Sequence, residues 1–136
     1  MVQIDATYDG GLRCRATHAE SGATFSTDAP KDNQGQGASF SPTDLIATAL
    51  GTCMLTTMGI AANRLGVDLT GAHVRVRKEM TAEAPRRVSK LTVEITGPAS
   101  VPTEHRLPLE RAAVECPVSR SLSPAIQTGI VFNWVK

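Results

Sequence analysis

The stretch SPTDLIATALGTCMLTTM, residues 41–58, reads as the opening of a helix that is too apolar to lie on a surface. Ser41 stands at the N-cap and Pro42 at the first helical position, where a missing N–H costs nothing. Asp44, three residues after the cap, can return a bond to the cap's own N–H, and Gly66 is the stop signal. Between these marks Leu45, Ile46, Ala49, Leu50, Met54, Leu55, Met58, Ala61, Ala62 and Leu65 leave only a narrow polar stripe. A helix apolar nearly all round is buried. Cys53 sits in its middle, far from either end and from the free N–H groups that favour a thiolate there.

Working outward, residues 2–8 (VQIDATY) and 12–18 (LRCRATH) alternate and flank the turn signal DGG at 9–11, so a hairpin is expected, with a short third strand at 23–28 (ATFSTD). Residues 29–41 (APKDNQGQGASFS) show little periodicity and read as a long loop, a length that usually has a job. Beyond the helix, residues 72–83 (AHVRVRKEMTAE) and 87–97 (RVSKLTVEITG) alternate as strands with one packed and one wet face. A Pro-rich link at 97–108 leads to a short amphipathic helix at 109–115 (LERAAVE), broken at 116–124 (CPVSRSLSP), and a last strand at 129–135 (GIVFNWV). No internal repeat is present. The order defines an α+β fold in which antiparallel sheets pack on one long buried helix and a second broken one. The long helix is too apolar for half-exposure, so a second copy of the chain is expected to cover its other side in a homodimer.

At 136 residues the chain is read as a single domain, residues 1–136, able to bury about two thirds of its unfolded surface. With 41% hydrophobic residues, 20% charged and a net charge of +1, it has neither the basic stripe of a nucleic-acid binder nor an uninterrupted apolar run long enough to span a bilayer. No basic-then-apolar segment opens the sequence, so the expected location is the cytoplasm. No nucleic-acid or membrane partner is expected.

Three cysteines at wide spacing, Cys14, Cys53 and Cys116, fit neither a disulfide scaffold nor a zinc site, and His18, His73 and His105 have no ligands at metal spacing. No metal or bound cofactor is expected. Cys116 precedes Pro117, which ends one helix and is suited to open another, so its sulfur would lie at a helix N-terminus. A Cys53 thiolate would need an external cation, and the candidates are Arg13 and Arg15 in the hairpin, Arg64 in the same helix and Arg120 after Cys116. Arg64 is about three turns away along the helix, too far to reach it easily. Arg13 and Arg15 fall on one face of their strand, with Leu12 and Cys14 on the other, which makes Cys14 a packing residue.

Two motifs in order carry a resemblance. Residues 40–58 (FSPTDLIATALGTCMLTTM) resemble the long-helix motif of the OsmC/Ohr family of thiol-dependent peroxidases, and 115–122 (ECPVSRSL) resemble the segment with that family's second cysteine. The likeness spans nearly the whole chain, and TDAPKDNQGQG at 27–37 resembles a less characterised branch. It implies an intertwined homodimer with its sites at the interface, Cys53 as the nucleophile and Cys116 as the resolving thiol. It also implies Arg13, with Arg15 as second choice, as the thiolate's stabiliser.

The sequence departs from the peroxidase branches at Thr43, where a glutamate ten positions before the cysteine orients the arginine. Asp44 lies about 180° around the helix from Cys53, so Asp28 or Asp32 from the strand and loop is the expected substitute. The resulting expectation is reduction of organic hydroperoxides through a sulfenic acid and then a disulfide. Leu50 and Met54 would line an apolar substrate pocket, and an external thiol such as a dihydrolipoyl group would be the reductant. The rival reading is a non-catalytic module that binds a small molecule or thiol against redox-sensitive cysteines.

Overall fold

Strands β1 (Ile4–Gly10), β2 (Arg13–His18) and β3 (Thr24–Asp28) form a three-stranded antiparallel sheet in that order. A computed structural model describes residues 1–135, and the chain divides into two compact units, Met1–Ile46 and Ala47–Lys136. In the first unit, the register Tyr8↔Cys14↔Thr27 and Ala6↔Ala16↔Phe25 places Ile4, Tyr8, Cys14 and Phe25 on one face. Arg13, Arg15, Ser26 and Asp28 share the other. Ile4 (65% exposed), Tyr8 (64%) and Phe25 (48%) lie open on the apolar face, an arrangement that a three-stranded sheet does not ordinarily sustain alone. The loop after β3 holds a single 3-10 turn at Lys31–Asn33.

Helix α1 spans Pro42–Leu65 with the punctuation read from the sequence. The Asp44 N–H donates to Ser41 Oγ at 3.1 Å and the Ser41 N–H to Asp44 Oδ2 at 2.9 Å, a reciprocal capping box. At the other end the Val67 N–H reaches the Ala62 carbonyl and the Gly66 N–H that of Asn63, closing the helix in a Schellman motif with Gly66 at φ +68°. Burial is confined to one stripe, Ala47, Leu50, Gly51, Met54, Met58 and Ala62, and Ile60 and Leu65 are exposed, so within one chain the helix is half-covered rather than fully buried. By length and composition α1 could cross a membrane, with a mean hydropathy of 1.7 over its most apolar window. Small Thr and Gly residues interrupt the apolar run without making it polar, which the reading by uninterrupted runs overlooked. The complete burial of Leu50, Met54 and Met58 inside the protein is that of a core helix.

The second unit carries a sheet in the order β4 (His73–Met80), β5 (Val88–Pro98), β6 (Gln127–Val135). β4 and β5 are antiparallel, but β6 runs parallel to β5, so this sheet is mixed rather than antiparallel throughout. The cause lies in the connection: helices α2 (Thr103–Val114) and α3 (Pro117–Ser121) form a crossover, which returns the chain in its original direction. On β5, Leu91, Val93 and Ile95 alternate inward, and a register shift at Glu79/Met80 lets Val88, three residues before Leu91, face inward too. These side chains meet Leu50, Met54 and Met58, together with Val101, Leu109 and Ala113, in one core where each large apolar residue contributes about 1.5–3 kcal/mol. α1 crosses β4 at Gly51, where a Cβ would stand 2.8 Å from a Val76 methyl and 3.3 Å from those of Val74.

α2 begins six residues earlier than the pattern at 109–115 suggests, and it includes Pro108. Arg106 explains the extension: its guanidinium donates to the Val101 and Ala99 carbonyls, both at 3.1 Å, and stacks 5.5 Å from the Trp134 ring centroid. The Trp134 indole N–H donates to Glu110 at 3.0 Å. Contacts to β6 thus hold a first turn that propensity alone would not.

Candidate active site

Two thiols from separate elements come together in the second unit. Cys116 is the N-cap of α3, and its sulfur accepts the Ser119 N–H at 3.2 Å, so Pro117 does open a new helix over it. Cys53, from the middle of α1, is its neighbour, close enough to push the Cys116 thiol's pKa up. Both are free thiols. Their settings differ: Cys116 has no exposed surface, whereas Cys53 is half-buried. Burial pushes the Cys116 thiol above its ordinary range, the Ser119 N–H opposes that shift, and the neighbouring Cys53 adds to it. Cys116 therefore keeps its proton at neutral pH. A pair of contacting thiols, one reachable and one hidden, can be oxidised at the first and closed by the second.

Leu50 and Met54 flank Cys53 on α1, and both are fully buried in the core. Thr52 and Thr56 occupy the exposed side of the helix and bond back to the carbonyls of Thr48 and Thr52.

The first unit holds the arginine. Arg13 Nε stands 3.6 Å from Asp28 Oδ1, an ion pair longer than a hydrogen bond, and its Nη2 donates to Gln36 Oε1 at 3.2 Å. The Asp28 side chain is 3% exposed against 45% for Arg13, so the carboxylate is the fixed partner and the guanidinium the accessible one. Asp28 Oδ2 accepts the Ala38 N–H at 2.9 Å. That bond first, and then the Arg13 charge, hold the carboxyl below the usual carboxylate range against the opposing effect of burial. Asp28 Oδ1 is buried without a hydrogen bond.

Arg15 instead faces Asp9 at 3.9 Å with both side chains exposed. Of the two arginines on this face, Arg13 is the one that the long loop ties in place, and the loop's job is to deliver Gln36 and the Ala38 N–H. Gln36 was missed in the sequence, since a glutamine in a Gly-rich loop carries no distinguishing pattern. Leu12, just before Arg13, is held at φ +64° with its N–H on the Tyr8 hydroxyl and its carbonyl on the Ala29 N–H. Among the described residues no group of three or more His, Cys, Asp or Glu side chains converges as metal ligands would.

This fold is that of a known class. The family described as OsmC-like protein matches residues 35–131, and a crystal structure from Psychrobacter arcticus 273-4, provisionally named an osmotic stress induced and detoxification response protein, is 41% identical. That alignment covers 98% of this chain and 96% of the other, with a TM-score of 0.91. The chain belongs to the OsmC-like family. The organic hydroperoxide resistance protein OsmC of Legionella pneumophila (17% identity, TM-score 0.73, 98% and 96% covered) shares the fold. So does OhrB of Bacillus subtilis, an organic hydroperoxide resistance protein (14%, 0.71, 98% and 98%). No curated protein matches the sequence.

Proposed function

We propose that the protein is a thiol-dependent peroxidase that reduces organic hydroperoxides. The observation that carries this reading is the meeting of half-buried Cys53 with fully buried Cys116 in a chain of this family. The Cys53 thiolate attacks one oxygen of ROOH, the O–O bond breaks, and the alkoxide leaves with a proton as ROH, giving Cys53 sulfenic acid. The Cys116 sulfur then attacks the Cys53 sulfur and releases water, forming a disulfide. An external dithiol, a dihydrolipoyl group in the expected form, returns both thiols and is itself oxidised. No bound cofactor enters the cycle, and free thiols suit a reducing compartment such as the cytoplasm.

The family resemblance assigns the guanidinium that stabilises the thiolate to Arg13, a group that cannot lose its charge and can donate to two atoms at once. Asp28 supplies the carboxylate that Thr43 does not. A homodimer, in which a second copy covers the open apolar sheet face, completes the assembly. The apolar helix around Cys53 favours alkyl peroxides over hydrogen peroxide.

The test is steady-state turnover with dihydrolipoamide as reductant. Cumene hydroperoxide should be consumed faster than hydrogen peroxide, and Cys53→Ser should abolish both reactions. Equal rates on the two peroxides would remove the apolar preference. Absence of turnover alongside tight, saturable binding of a small thiol would favour the binding module that Thr43 suggests.

A further inference from the structure

The two sulfurs of the pair are unequal in a way that fixes the direction of the reductive half-reaction. Attack on a disulfide needs the incoming thiolate in line with the bond behind one sulfur, so the attacked sulfur must present surface. Cys116 presents none, enclosed at the start of α3 with the Ser119 N–H on its sulfur, while Cys53 is half-buried on α1. Resting on the two-cysteine reading above, we propose that the external thiol attacks Cys53, forms its mixed disulfide there and expels Cys116.

The electrons and protons balance in two steps. The reductant thiolate bonds to Cys53 Sγ as the Cys53–Cys116 bond breaks, and the pair of electrons leaves on Cys116. The Ser119 N–H, already aimed at that sulfur, accepts the developing charge before the sulfur takes up a proton. The second thiol of the reductant then attacks the reductant sulfur held on Cys53, which releases the Cys53 thiolate and the cyclic or bridged disulfide product. Leaving-group strength alone would point the other way, because burial makes Cys116 the poorer thiolate. Access decides, since leaving-group strength only scales the rate of an attack that geometry permits. Between Asp44 and Arg64 the helix around Cys53 carries no charged side chain.

The test uses the full chain as Cys14→Ser, oxidised with diamide so that no hydroperoxide is needed. Limiting 2-mercaptoethanol is added, the mixture is quenched with acid, and the adduct is located by peptide mapping. The adduct is expected on the Cys53 peptide and to be absent from the Cys116 peptide. In the single variants treated with 2-hydroxyethyl disulfide, the oxidised form of the same reagent, Cys116→Ser should exchange to a stable mixed disulfide on Cys53 with release of 2-mercaptoethanol, while native Cys53→Ser resists it until unfolded in urea. Adduct on Cys116, or divided equally, overturns the inference. Failure of diamide to join the two cysteines overturns it together with the peroxidase reading. Bridging by diamide but not by hydroperoxide removes the peroxidase reading alone.

Discussion

Burial of the Cys116 thiol makes the protein's stability depend on pH. Burial raises its folded pKa above the unfolded value of about 8.5, so the folded chain holds this proton more tightly than the unfolded one. The contribution is complete below that pH and is lost as pH rises through the folded value. Urea unfolding of the wild type should therefore lose more stability than Cys116→Ala between about pH 8 and 10. Parallel pH profiles would show the thiol is not so perturbed. The identity of both thiols was legible from two local motifs, FSPTDLIATALGTC and ECPVS. Their contact was not, because it depends on how the α2–α3 crossover places α3 against α1, and no residue near either cysteine encodes that distance. Strand alternation put Arg13 and Arg15 on one face, and their partners differ only in the fold: Asp28 of β3 and Gln36 of the loop for Arg13, Asp9 for Arg15.

At the scale of elements, punctuation was the most readable feature. Ser41, Pro42, Asp44 and Gly66 bound α1 as the sequence indicates, because caps are local hydrogen bonds that need no tertiary context. Ser41→Ala should cost about 1 kcal/mol in urea unfolding, the usual worth of an N-cap. Gly51 drew no interpretation from the sequence, where a glycine inside a helix is merely a poor helix former. In the fold it is a point of close approach between α1 and β4. Gly51→Ala should therefore destabilise by roughly 1–3 kcal/mol despite the better helix propensity of alanine. A neutral or stabilising result would mean that Val74 and Val76 yield freely. The start of α2 was hidden because it depends on Arg106, Glu110 and Trp134 meeting across elements that are far apart in sequence, whereas the parallel β6 follows from the α2–α3 crossover.

For the whole molecule, the proposed second copy of the chain would account for both the open apolar face of the first sheet and the half-covered α1. Tyr8→Lys combined with Phe25→Glu should shift the protein from dimer toward monomer in sedimentation velocity, with exposed apolar surface reported by dye binding. A wild type that sediments as a monomer at micromolar concentration would remove the dimer. In the sequence the proposal of a dimer rests on the excess apolar content of one helix. The exposed Ile4, Tyr8 and Phe25 became visible only once the register put them on one side.

The two-cysteine cycle is tested most directly by intact mass and free-thiol count before and after one equivalent of cumene hydroperoxide, on wild type and Cys116→Ser. The wild type is predicted to lose two thiols to a Cys53–Cys116 bridge, and the variant to hold a trappable sulfenic acid on Cys53. Unchanged thiols in both proteins would contradict the cycle and leave the pair as contacts for a bound molecule.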